Sequence, residues 1–226
     1  VKITLSTALT LVAIASLNGA EPAGITVDKE KKSIAIDAKM APRKLPMYDQ
    51  IYPIEVIACW AFDRKEGKGQ KAHETIVTID VTPSDVHKAL ESVGMKPGKP
   101  VKGGEIPCTG PDVNVFIEYK SEGGATKRVS MDKALLDPKT NAPFPKSVKF
   151  RFTGSVMTKP DPTKSDEKYG ADLTGTLIAI YPVTDETVCQ STLTMKEEKY
   201  LKLEVNATAL PKEGTPVKLI LEPAAK

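Results

Sequence analysis

Short runs in which apolar and polar residues alternate dominate the chain from Ile25 onward, and alternation with a period of two is the mark of a half-buried strand. ITVD and SIAIDA flank the charged DKEKK and read as a hairpin. IEVIACWAF (54–62) is apolar on both faces, which predicts a central strand covered on each side. The charged, glycine-containing DRKEGKGQK separates it from HETIVTIDV (73–81), so the pair reads as two antiparallel strands joined by a long loop. VNVFIEY (113–119), the turn SEGG and ATKRVSM form another hairpin. In VKFRFTGSVM, Val148, Phe150 and Phe152 alternate with Lys149 and Arg151. LTGTLIAIYPV (173–183) is a strand in which Gly175 marks a bulge or a close approach. Near the end, LKLEV and VKLIL both alternate and read as hairpin partners, although the charges of KEEK also suit a helix.

One segment has helical spacing instead. In VTPSDVHKALESVG (81–94) the apolar Val86, Ala89, Leu90 and Val93 fall on one face. Thr82 is a suitable N-cap, Pro83 fits the first helical position and Gly94 suits a left-handed terminus. Ser130 caps a shorter helix, MDKALL, stopped by Asp137-Pro138. The Gly/Pro-rich stretch 95–112 reads as an ordered loop. The expected fold class is α+β and β-rich: an antiparallel sheet or sandwich of about ten strands with one amphipathic helix and a second short helix.

The first twenty residues, VKITLSTALTLVAIASLNGA, carry one cation, Lys2, then an uncharged run ending in small residues, the layout of a signal peptide. Cleavage is expected after Ala15 or Ala20, leaving residues 21–226 as a single domain with no further membrane span. The expected location is therefore periplasmic or secreted. The charge balance, 32 basic against 29 acidic residues, leaves +3, too little to draw a polyanion by net field, so no nucleic-acid partner is expected.

The usual catalytic signatures are missing: no GxSxG, HExxH, phosphate-binding glycine loop or dinucleotide fingerprint occurs. Cys59, Cys108 and Cys189 lie far apart, unlike the close pairs of a structural zinc site, and no metal or cofactor is expected. At most one disulfide can form among them, and spacing leaves all three pairings open. Cys59, in an apolar run, reads as buried, and Cys108, in GGEIPCTGP, as more exposed. If the loop after IEVIACWAF closes at Glu66-Gly67, Cys59 falls opposite His73 and Glu74, and a thiol, an imidazole and a carboxylate could meet. The competing reading is a hydrogen-bonded core histidine beside a space-filling cysteine. Trp60 reads as a core anchor or the floor of a shallow pocket, and His87 as a partly exposed helix residue or a site residue. His73, Glu74, Trp60 and His87 are the candidate binding residues.

Several separated motifs occur together: Cys59 followed by Lys71 and His73-Glu74, the helix PSDVHKAL, FTGS at 152–155, YGADLTGTLIAI at 169–180 and LPKEGTPVKLIL at 210–221. In this order they resemble the YdjY-domain family of exported bacterial proteins. The loop FDRKEGKGQ is longer than the short glycine turn associated with that family. The resemblance implies one domain across most of the chain and assigns no activity. The leading expectation is an exported binding or structural module, with Gly/Pro loops on a β framework contacting a small ligand or an envelope protein. The alternatives are a thiol-dependent or acid/base enzyme using Cys59, His73 and Glu74, and a metal or redox accessory protein.

Overall fold

The computed structural model describes residues 22–225, so the leader-like segment 1–20 lies outside the described residues. Ten strands form one sheet: β1 (Ile25–Asp28), β2 (Ser33–Met40), β3 (Val56–Trp60), β4 (Thr75–Ile79), β5 (Asp112–Lys120), β6 (Thr126–Ser130), β7 (Phe150–Phe152), β8 (Thr176–Ala179), β9 (Cys189–Ser191) and β10 (Pro216–Pro223). Eight of them close on themselves in the order β2-β10-β5-β7-β9-β8-β3-β4 and back to β2, while β1 pairs with β2 and β6 with β5. The expected antiparallel sheet or sandwich is therefore corrected to a closed barrel of mixed strand direction. β3 runs parallel to β4 and β8 parallel to β9; the other pairs are antiparallel.

Closure works because two long strands divide their partners. One half of β2 pairs with β1 (Ile25 opposite Ile36) and the other with β4 (Ala38 opposite Ile79). β5 meets β7 at Asp112 and Val113, then β6 from Phe116 to Lys120. The alternation read from the sequence fixes which side is core: Ile34, Ile36, Val115, Ile117, Phe150, Phe152, Leu219 and Leu221 all point in and are buried. Fully burying each such side chain contributes about 1.5–3 kcal/mol.

The hairpins β1–β2 and β5–β6 form as expected. Two others do not. Segment 61–74 crosses over the outer side of β3 and returns the chain in the same direction, so β3 and β4 are parallel; a connection of a dozen or more residues permits this, whereas a tight turn does not. The crossover buries Val56 and Cys59 under Ala72 and Phe62, which is why β3 is apolar on both faces. LKLEV and VKLIL also fail to pair. Met195–Glu198 is a helical turn held by a Thr194–Glu197 capping box, Glu204–Val205 pairs with Leu135–Leu136, and β10 inserts between β2 and β5.

Helix α1 (Pro83–Ser92) follows the sequence closely. The Thr82 hydroxyl accepts from the Asp85 amide at 3.3 Å, Val86, Ala89 and Leu90 are buried, and Gly94 takes φ +91° just beyond the end. The second helix is shorter than expected, Met131–Ala134, and gives way to the short strand Leu135–Leu136. Gly175 is the expected close approach: a Cβ there would lie 2.5 Å from Trp60 Cδ2, and its φ of +71° ends the turn Ala171–Thr174.

Candidate functional site

The crossover ends in a single 3₁₀ turn, Ala72–Glu74, that brings ionisable side chains to the outer side of the barrel next to β3. His73 is 2% exposed and Glu74 7%. His73 Nε2 lies 3.2 Å from Glu74 Oε1, and the other Glu74 oxygen accepts from the Lys71 ammonium. Lys71 also reaches Glu55 Oε2 at 3.2 Å. One cation thus sits between two carboxylates, one of which orients an imidazole. The His73 ring stacks on Tyr48 with centroids 4.3 Å apart and meets the edge of Tyr52 at 5.2 Å. His73 Nδ1 makes no hydrogen bond.

Burial is the largest influence on each charge here. It lowers the His73 pKa, helped by the positive charges of Lys71 and Arg43, so the ring is held neutral. It raises the Glu55 carboxyl, with Lys71 opposing and Glu74 adding to the rise. On Lys71 desolvation works against the cation, but hydrogen bonds and charge from Glu74 and Glu55 outweigh it and its pKa rises.

Arg43 closes the cluster from the irregular segment 41–55. Its Nε and Nη2 grip Glu204 at 2.7 and 3.0 Å, Nη1 donates to the His73 carbonyl, and Nη2 donates to the Tyr52 carbonyl at 2.5 Å. This planar fork ties the segment bearing Tyr48 and Tyr52 over His73.

Cys59 does not join His73. With β3 and β4 parallel, it stands opposite Thr78, and the register expected from a hairpin is overturned. Its sulfur lies 3.2 Å from Thr75 Oγ1 and 3.3 Å from the Trp60 carbonyl, while the Thr75 hydroxyl donates to the Lys71 carbonyl at 2.8 Å. Burial pushes the thiol up to about 12, so it carries a proton at neutral pH. Cys108, expected to be exposed, is also buried: Arg151 donates to its carbonyl at 2.6 Å and its sulfur lies 3.3 Å from the Ser191 carbonyl. Cys59, Cys108 and Cys189 are all free thiols. Among the described residues no group of three or more His, Cys, Asp or Glu could hold a metal ion.

Trp60 is partly buried at the end of β3. Its indole donates to the Val81 carbonyl at 2.8 Å, one face packs on Gly175, and Lys68 Nζ lies 5.0 Å from the ring centroid above a shallow depression. His87 sits elsewhere, in a clasp bonded through Nδ1. Its Nδ1 is 2.6 Å from the Tyr169 hydroxyl, which also accepts from the Ser155 amide at 3.1 Å, and Nε2 lies 3.6 Å from Glu91 Oε1. Gly154 lies beneath the ring, where a Cβ would stand 3.2 Å from Cε1. The Ser155 hydroxyl accepts from the Ala171 amide at 3.0 Å, and Asp172 accepts from the Ser84 amide at 2.8 Å. FTGS and YGAD, far apart in sequence, therefore lock α1 onto the barrel.

A broad concavity is one that sequence reading missed. On the outer side of β4, β2, β10 and β5 lies a cleft of about 610 Å³, lined by Asp37, Lys39, Asp80, Glu118, Lys120 and Lys218 over Val81 and Pro216. Its walls come from strands distant in sequence, so no local motif signals it. Arg43, Tyr48, Tyr52 and Glu55 were missed as well, because segment 41–55 has no periodicity.

Comparison with known proteins matches residues 25–222 to the family model described as YdjY domain, and the chain belongs to that family. No curated protein and no solved structure matches the chain significantly.

Proposed function

We propose that this YdjY-domain protein is an exported, non-enzymatic binding module of the periplasm or cell envelope, and that its ligand contact is the outer cleft. The leader-like pattern of residues 1–20 supports export. The cleft carries the binding assignment: its volume, about 610 Å³, falls in the range of small-molecule sites, and it combines an apolar floor with side chains of both charge signs. The Gly/Pro loop 95–112, first expected to make this contact, is instead pinned to β9 by Gln190, which bonds the Val101 amide at 2.9 Å and carbonyl at 2.8 Å. Thiol catalysis finds no support in a Cys59 driven to about 12 and bonded to Thr75.

A second reading, acid/base chemistry at His73 and Glu74, is favoured by the unbonded Nδ1 and opposed by the Tyr48 and Tyr52 rings that cover it. Amide chemical-shift mapping with amino acids, peptides, sugars, nucleosides and fatty acids separates the two. Shifts gathered at Lys39, Asp80, Glu118 and Lys218 are expected. Shifts confined to Lys71–Glu74 would transfer the function to the histidine cluster, and none anywhere would end the binding assignment. The amino terminus of the exported protein, read by mass spectrometry, is expected to follow Ala15 or Ala20; an uncleaved chain recovered from the cytoplasm overturns export.

A further inference from the structure

We infer that the cleft takes a short zwitterionic peptide in extended form, its carboxylate held at Lys39 and its ammonium at Glu118. The inference rests on the cleft being the ligand site.

Strand register places the charges. Lys39 stands opposite Thr78 on β4 and Pro216 on β10; Lys218 stands opposite Asp37 on β2 and Glu118 on β5; Lys120 stands opposite Thr126 on β6. Two neighbouring rows therefore cross the outer face, one step of two residues apart. The first reads Thr78, Lys39, Pro216, Lys120; the second reads Asp37, Lys218, Glu118, with Gly24 bonded on the other side of Asp37. Two residues along a strand is about 7 Å, and adjacent strands are about 4.8 Å apart.

Part of this charge is already spent within the protein. Lys218 pairs with Asp37, and Lys120 bonds only the Thr126 hydroxyl. Among the described residues, Lys39, Asp80 and Glu118 make no ion pair or side-chain hydrogen bond, and Lys120 has no carboxylate partner. What remains is cationic in one row and anionic in the next.

Three acidic and three basic side chains line the cleft, so their charges cancel and an ion of one sign gains no net attraction. A dipolar ligand gains at both ends. On the register spacing, Lys39 and Glu118 are about 12 Å apart at their Cα atoms, and an extended chain covers about 3.3–3.6 Å per residue, so two to four residues span the rows. Proline, valine and the aliphatic lysine stems between the rows suit small apolar side chains.

Trialanine is the probe, in free, N-acetylated, C-amidated and doubly blocked forms, titrated by calorimetry with Trp60 fluorescence as a second signal. The free peptide is expected to bind best, and each block to weaken it about three- to ten-fold. Lys39→Gln should remove the sensitivity to amidation and keep that to acetylation; Glu118→Gln should do the reverse. Lys39 is exposed and Glu118 half-buried, and among the described residues neither side chain makes an ion pair or hydrogen bond, so the variants keep the fold. Doubly blocked peptide binding as tightly as the free form overturns the zwitterion while leaving the cleft a binding site. Free peptide that fails to saturate, with other compounds still shifting the cleft amides, also overturns it. Failure of every compound to shift those amides removes the cleft reading itself.

Discussion

The two histidines occupy opposite kinds of environment. His87 bonds Tyr169 through Nδ1 at 2.6 Å with Glu91 3.6 Å from Nε2, and the motifs around it converge on the ring. His73 is more deeply buried, shares Glu74 with Lys71, and leaves Nδ1 without a well-formed hydrogen bond, the Gln70 backbone opposing the fall in its pKa. Three of the recognisable motifs, PSDVHKAL, FTGS and YGAD, thus converge on the structural clasp, while one, Lys71 with His73-Glu74, forms the unbalanced cluster. A polar group removed from water without a partner costs of the order of 1–3 kcal/mol, so the two sites should respond differently to the same substitutions.

The sharpest break comes from the supports. Arg43→Ala removes the fork that holds Glu204 and two carbonyls, and should cost about 2–4 kcal/mol by urea unfolding, with the Tyr48 side losing protection in hydrogen exchange; unchanged exchange there would sever segment 41–55 from the His73 cluster. Tyr169→Phe should follow at about 1–3 kcal/mol, because it strands both His87 Nδ1 and the Ser155 amide. In a matched pair, His87→Phe should cost more than His73→Phe, which discards an unsatisfied nitrogen along with a Glu74 contact. Equal losses would erase the contrast.

The pH dependence sharpens it further. The folded His73 pKa lies below its unfolded value near 6.5, so the unfolded chain binds the extra proton and stability declines as pH falls through the mid-sixes. Glu55, raised on folding, acts in the opposite direction at lower pH. Subtracting the stability curve of His73→Gln from that of the wild type between pH 8 and 5.5 should isolate a positive slope of at most about 1.4 kcal/mol per pH unit. A flat difference would show a ring that titrates normally. The smallest effect is expected at Cys59, whose alkylation in the folded protein should be no faster than that of a model thiol from pH 5 to 9; faster reaction would return a nucleophile to the His73 side.

Inward and outward residues were readable along nearly every strand, because alternation records the two faces directly. Neighbours and directions were readable only where a short turn forces antiparallel pairing, at DKEKK and SEGG. Segment 61–74 is long enough for either direction, and the hairpin register that would have joined Cys59 to His73 failed there. LKLEV and VKLIL alternate equally well, yet β10 found better-matched partners in β2 and β5. His73 and Glu74 do meet, since they adjoin in sequence. The cleft escaped notice because its residues become neighbours only once nonadjacent strands are laid side by side.

β10, last of the sheet strands in chain order, is wedged between two strands made much earlier. The ring therefore stays open until Pro216–Pro223 is in place. Until that keystone arrives, the facing edges of β2 and β5 expose unpaired backbone, and the earlier strands hold only an open, incomplete wall.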